Sequence, residues 1–499
     1  MEQSGYLSFR EPDDFPRLRE IFEKALYTDS QVLEVIGAKE LPYMSQTDVP
    51  LLLRRTNGKT PLHTLIRLFL METPCAAGEV KHAFSPFSID TLINAGIVKA
   101  DGPLMEAGVK ILPFKDLYIA FDLPSMLRSA NRKDYVMGIG SSTLTLANLT
   151  VRNQSRLTLD LGTGCGMHAL LAAGHSDRVI AADLNPRAVK FADFNARLNN
   201  LSNIECVQGN LFGPVKDKKF DLVVTNPPFV ISPETEYVYR DGGMEGDGIT
   251  RKIVSQVPPY LREEGYCQIL CNWAELHGRD WRERLQTWFE GSGCDVSVLR
   301  SQSLDAESYA LTWIKNTEMS ETGLFPERFE TWMAYYEALG ITSVGAGLIT
   351  MRRSGGRTNR FRADDAPERM HGPCGKYIHR GFELADFLES VGDDTGLLNT
   401  PFRVSPDVRL DRRARPSSDG WADESCRLVM TRGFSYSGNI DPFIANMLVK
   451  CDGNRLLGEL MDEMAVSLGT DADKMKESFC GIARNLVEKG FLLPNHFPE

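Results

Sequence analysis

From Leu157 onward, short apolar runs alternate with segments of helical period. Leu157–Leu161, Val179–Asp183, Cys206–Gln208, Phe220–Thr225 and Tyr266–Cys271 read as strands. Helices fall between most of them. Asn185-Pro186 supplies a cap followed by proline at the first helical position, and Val189, Ala192 and Ala196 then form one inward stripe. Strands alternating with helices predict a parallel sheet covered on both faces, an α/β fold. Ala310–Ile314 and Ile341–Met351 read as later strands, with an inserted helix at Glu327–Leu339.

The flanks follow other patterns. Phe15, Leu18, Ile21 and Phe22 recur at helical spacing, and Leu62, Leu65, Ile66 and Phe69 make a second stripe. A helix at Ser88–Ala95 and β-like pieces at Ile97–Lys99 and Val109–Leu112 give this part a resemblance to a winged-helix unit. Its candidate recognition stretch, Phe84–Asn94, carries no Lys or Arg, which points to packing rather than nucleic acid. Arg352 opens a Gly- and Arg-rich stretch that runs to about Gly375 and reads as a linker or flap. Asp441–Leu493 shows three helical stretches separated by Asp452-Gly453 and Gly469, with a faint resemblance to small peptide-binding helical domains of the PqqD type. The expected domains are 1–130 (helical, winged-helix-like), 131–355 (α/β), 356–375 (linker) and 376–499 (with a helical, winged-helix-like end).

Composition narrows the function classes. The 499 residues are 42% hydrophobic and 25% charged, enough for ordinary buried cores. A net charge of −11 argues against holding nucleic acid by bulk charge. No apolar run approaches the ~20 residues of a membrane span, and the first residues show no secretory signal. The ten cysteines are scattered and no Cys/His grouping has zinc spacing, so a cytoplasmic protein with free thiols and no metal is expected.

Two segments carry candidate chemistry. Asp160-Leu161-Gly162-Thr163-Gly164-Cys165-Gly166 directly follows the first strand and precedes an apolar helix. Glycines there let a ligand approach the backbone, helix N-terminal amides can donate to its electronegative edge, and Asp183, ending the next strand, can take ribose hydroxyls. The Gly-x-Gly-x-Gly spacing leans away from a dinucleotide site. Asn226-Pro227-Pro228-Phe229 follows the fourth strand. In a doubly wound sheet that strand lies beside the first, so both segments open into one crevice. Asn226 Oδ1 and the Pro227 carbonyl can accept both hydrogens of a planar amino group, and Phe229 can lie along its face. His168 and Cys165 read as helix-surface and small-loop residues. Gly138–Thr143 could line the amino-acid end of a ligand.

Together, Asp160–Gly166, Asp183 and Asn226–Phe229 resemble the class I S-adenosylmethionine-dependent methyltransferases, in the branch that methylates planar nitrogens. Asp241–Gly248, with Arg251 following, looks like the Gly-rich segment of its glutamine-methylating members. The likeness covers roughly residues 134–315. It implies a Rossmann-like, doubly wound, seven-stranded sheet, S-adenosylmethionine as donor and S-adenosylhomocysteine as product. On the donor side it implies Asp160, Gly162, Thr163, Gly164, Gly166, Asp183, Leu184, Asn210, Leu211 and Asn226. Asn210 stands where many relatives carry Asp near the adenine amino group. For catalysis it implies Asn226, Pro227 and Phe229. Pro228, Phe229, Tyr239 and Arg240 would shape the acceptor mouth. The expected acceptor is a Gln or Asn amide of a protein or peptide. The alternatives are adenine N6 or guanine N2 of a nucleic acid, where Arg352, Arg353, Arg357, Arg360, Arg362, Arg409, Arg412, Arg413 and Arg415 would track phosphates, a small-molecule amine, or a non-catalytic scaffold that senses the donor.

Overall fold

A computed structural model describes residues 7–38, 48–124, 126, 134–234, 240–317, 325–418 and 420–497. It divides into two compact units, one with residues up to Ala147 and Asn153–Asp365, the other with Asn148–Arg152 and the chain from Ala366.

The first unit is built on one sheet. Its strands are β1 Ser155–Leu161, β2 Ser176–Asp183, β3 Ile204–Gln208, β4 Phe220–Thr225, β5 Leu261–Leu276, β6 Cys294–Asp305, β7 Ile341–Arg353 and β8 Phe361–Asp365. The order is β8-β6-β7-β5-β4-β1-β2-β3. Strands β1 to β5 run parallel, and β7 is antiparallel to both β5 and β6. The reversal of strand order therefore falls between β1 and β4, where a doubly wound sheet opens its crevice. Leu159, Ile180, Val223, Cys267 and Ile269 fill the core of the central strands. Both faces are covered, which is why these strands appear as continuous apolar runs.

Three expectations are revised. Ala310–Ile314 is not a strand but lies inside α5, Ala306–Thr317. Ala306, Tyr309, Ala310 and Ile314 are its buried residues, a spacing of three and four that suits a helix, and Asp305 accepts the Ser308 N–H at its start. The sheet has eight strands rather than seven, because β8 adds to β6 in parallel. That strand lies within the stretch read as a linker. It is anchored by Asp295, 1% exposed, whose carboxylate takes Arg352, Arg357 and Arg360, and by Phe361 against Phe289. Strand β6 had no counterpart among the sequence expectations.

Helices α1 Met167–Ala172 and α2 Pro186–Leu198 cover one face, and the N-terminal segment packs on them. Phe9, Phe15, Leu18 and Phe22 share a core with Met167, Leu170, Phe191 and Phe194. Buried Asn195 of α2 donates to the Ala120 and Cys165 carbonyls and accepts the Ala120 N–H. Asn199 makes the equivalent pair with Tyr118. This segment also holds a helix at Pro61–Leu65, continuing as a wider turn through Leu70, helices at Ala77–Ala83 and Ile89–Asn94, a three-stranded antiparallel sheet and a hairpin of Lys110–Phe114 with Leu117–Phe121. On the far side, α3 Gly248–Gln256 and α4 Trp281–Gln286 pack against the β4–β7 half of the sheet, with Trp281 stacked on Trp273.

The second unit has its own core around Phe402, Phe479, Leu486 and Leu492. Its three late helices are Pro442–Leu448, Leu457–Leu468 and Ala472–Glu488, and a long hairpin spans Val408–Ser417 and Gly420–Met430. Among the described residues no helix is long and apolar enough to cross a membrane.

Candidate active site

The crevice is framed by the carboxyl ends of β1, β2 and β4. Thr225 at the end of β4 donates to the Leu161 carbonyl at 2.7 Å, which ties the turn after β4 to the loop after β1. Gly162 and Thr163 donate back to Ala182 of β2 at 2.8 and 3.0 Å. Gly162 and Gly164 take φ of +71° and +55°, and no atom lies within 4 Å of where a Cβ would stand. The loop therefore bares its backbone toward open space, as a ligand cradle requires.

Asp160 is fully buried beneath this loop. Its Oδ2 accepts Thr163 Oγ1 at 2.6 Å and the Ala169 N–H at 2.9 Å, whereas Oδ1 is buried without a partner among the described residues. Burial pushes its pKa up to about 7, against the pull of those two hydrogen bonds. Asp183 accepts the Gly164 N–H at 2.9 Å and the Asn185 N–H at 2.8 Å, which fixes the carboxylate and leaves lone pairs for hydroxyls. Burial raises its pKa too. Leu184 is 54% exposed beside it, an apolar platform at the loop's edge. Asn210 is exposed and Leu211 takes a positive φ of +48°, and both line a cavity of about 500 Å³ that also touches Phe212 and Tyr260.

The turn after β4 supplies the other wall. Asn226 Nδ2 donates to Ser142 Oγ at 3.3 Å, and Oδ1 is buried with no partner among the described residues. The Pro227 carbonyl takes no hydrogen bond from the described residues. Among the described residues an amide oxygen and a backbone oxygen at one turn thus have no partner, and a ligand with two N–H groups in one plane would complete both. Phe229 packs edge-on to Trp313 of α5, ring centroids 6.4 Å apart. The Gly-rich segment closes over the turn: Asp241 bridges to Val230, and a Cβ on Gly242 would stand 3.0 Å from the Pro228 carbonyl. Below it, α5 and α6 Phe325–Leu339 form the floor. Tyr309 accepts the Ile231 N–H, Tyr336 donates to the Ile231 carbonyl, and Tyr335 accepts the Gly246 N–H.

The structure brings Asp160, Gly162, Thr163, Gly164, Asp183 and Leu184 together at the loop, with Asn226 and Pro227 at the turn across the β1–β4 junction. Gly166 serves a packing role, since a Cβ there would stand 3.1 Å from Ala192 Cα. Arg240 is 2% exposed, with its guanidinium bound to Glu234 and Asp241, so it braces the loop from inside rather than facing the acceptor. Tyr239, like Tyr237, lies outside the described residues. Ser142, Thr225 and Trp313 carry no individual role at the site in the sequence pattern. Trp313 was hidden by the strand reading, and Ser142 sits in the Gly138–Thr143 segment, which carried only a general role.

A methyltransferase small domain matches residues 136–289. Domains of unknown function match residues 24–108 and 379–494. A Methanocaldococcus jannaschii protein, provisionally named a protein N5-glutamine methyltransferase, is 37% identical over 136 residues, 26% of this chain and 68% of that protein. The chain belongs to the class I S-adenosylmethionine-dependent methyltransferases. Its methyltransferase domain is also 33% identical over 122 residues to the release factor glutamine methyltransferase of Fusobacterium nucleatum, 22% of this chain and 34% of that one. It is 34% identical over 126 residues to the ribosomal protein uL3 glutamine methyltransferase of Bradyrhizobium diazoefficiens, 22% and 40% of the two chains. Those bacterial relatives are thus matched over less than two thirds of their own length.

The donor of this methyltransferase carries an ammonium and a sulfonium, and the residues present suit it: a bared glycine loop, buried Asp160 with a carboxylate oxygen that has no partner among the described residues, and half-buried Asp183. A cationic ligand favours ionised Asp160. Affinity for S-adenosylhomocysteine, which keeps the ammonium, is therefore expected to rise as pH climbs through about 7 and to level off above it. Calorimetric titration across that range checks this; affinity that is flat or falls with pH contradicts it.

Proposed function

We propose that the protein transfers a methyl group from S-adenosylmethionine to the side-chain amide nitrogen of a glutamine in a protein. The observation that carries this reading is the unsatisfied pair of acceptors at Asn226 Oδ1 and the Pro227 carbonyl. A carboxamide offers two N–H groups in one plane, the complement of those two oxygens. When bound, the donor supplies a methyl that is already electrophilic.

The amide nitrogen is a poor nucleophile because its lone pair is delocalised. Asn226 and Pro227, accepting both hydrogens, draw electron density onto nitrogen and let it pyramidalise. These contacts strengthen as positive charge develops there, which is the differential stabilisation a catalyst needs. Phe229, held by Trp313, supports the face of the amide and limits its rotation. No strong base is needed before attack, since the proton is released after the nitrogen has become cationic.

The names of the relatives favour a protein acceptor. Five of the nine arginines that would track phosphates are already paired: Arg352, Arg357 and Arg360 converge on Asp295, Arg362 pairs with Asp364, and Arg409 with Asp411. The test is incubation of the purified protein with methyl-labelled S-adenosylmethionine and extract from cells lacking its gene. Label removed by protease and resistant to nuclease is expected; label removed by nuclease alone would overturn the reading.

A further inference from the structure

Asn226 must present oxygen, not nitrogen, to the acceptor, yet its side chain has the same shape in both flips. In the flip that presents Oδ1, the Nδ2 group is the one that meets Ser142. Its one partner there among the described residues is Ser142 Oγ, at 3.3 Å and 84 residues away in sequence. Ser142 stands at the second position of the helix Ser141–Leu149, half-buried, so its hydroxyl is held by a regular element rather than a loose loop. Without that oxygen, the productive flip would leave a donor without a partner in a confined space. An unpaired donor is costly; a hydroxyl can also donate to Oδ1 in the opposite flip, so Ser142 holds the plane of the amide in place while the two N–H groups of the acceptor select the flip that presents oxygen.

We propose that Ser142 is a positioning residue of the transfer step: its oxygen takes the Asn226 Nδ2 hydrogen and holds the amide plane so that Oδ1 meets the acceptor nitrogen. This rests on the reading of Asn226 given above. It makes Ser142 act on turnover through Asn226 rather than on donor affinity. Loss of the hydroxyl should lower the rate about tenfold, the effect of weakening one such contact by ~1.4 kcal/mol.

The test compares wild type, Ser142→Ala and Ser142→Thr. Three readouts are taken: initial methyl transfer into extract from cells lacking the gene at saturating donor, the dissociation constant for S-adenosylhomocysteine, and the Asn226 side-chain amide signal in nitrogen-15 NMR, assigned by its absence in Asn226→Ala. The proposal expects Ser142→Ala to be about tenfold slower with an unchanged dissociation constant and a shifted Asn226 amide signal. It expects Ser142→Thr, which keeps the hydroxyl, to restore both rate and signal. A wild-type rate in Ser142→Ala, an equal loss in both variants, or a loss matched by weaker S-adenosylhomocysteine binding would each overturn it. If instead the label enters nucleic acid while the ratios hold, the glutamine reading fails and the role of Ser142 stands.

Discussion

Asn226→Ala is expected to slow methyl transfer by about a hundred- to a thousandfold, the loss typical of removing one preorganised group that meets developing charge. The removed oxygen is the buried, unpartnered Oδ1 at the end of β4. Binding of S-adenosylhomocysteine should stay near the wild-type value, because the donor loop depends on Asp160, Gly162, Gly164 and Asp183, whose hydrogen bonds do not pass through Asn226. The split between rate and affinity is the diagnostic: a contact made mainly in the transition state lowers turnover and spares ground-state binding. A fall in affinity that matched the fall in rate would make Asn226 a donor ligand only, and wild-type turnover would remove it from the chemistry.

Asn195→Ala is expected to destabilise the first unit by about 3 kcal/mol, because it leaves several buried backbone groups unpaired at once. Asn195 is fully buried and holds both polar groups of Ala120 as well as the Cys165 carbonyl, so one amide joins the N-terminal segment to the donor loop. The measurement is the midpoint of thermal or urea unfolding, followed by a signal from the first unit. The midpoint should fall, and S-adenosylhomocysteine should shift it back toward wild type, since a ligand that binds only the native state stabilises it. An unchanged midpoint would show that the shared core of Phe9, Phe15 and Phe194 holds the N-terminal segment without this amide.

The central strands were legible because each is an apolar run buried on both faces, bounded by Gly, Asn or Pro. The donor loop and the Asn226 turn were legible for a related reason: each is a run of consecutive residues at the carboxyl end of such a strand. The edge of the sheet was harder to read. Strand β6 mixes Val296 and Val298 with buried Asp295, and β8 owes its place to arginines that reach that one carboxylate, a pairing across more than 60 residues. The Ala310–Ile314 run was misread because five apolar or small residues in a row fit either period. The buried spacing from Ala306 to Ile314, and the cap at Asp305, carried the helix signal. Ser142 and Arg240 show the remaining gap. A side chain's partner is set by the tertiary fold, so neither the Ser142 contact with Asn226 nor the burial of Arg240 against Glu234 could be read from spacing.

The most direct test of the account is to locate the methyl group. Protein labelled by the wild-type enzyme and by Asn226→Ala should be digested and the modified residue sequenced by mass spectrometry. The account predicts a single methyl on the side-chain nitrogen of glutamine, made by the wild type and nearly absent with Asn226→Ala. A methyl on a carboxylate, a lysine or a nucleotide base, or equal labelling by both proteins, would contradict it.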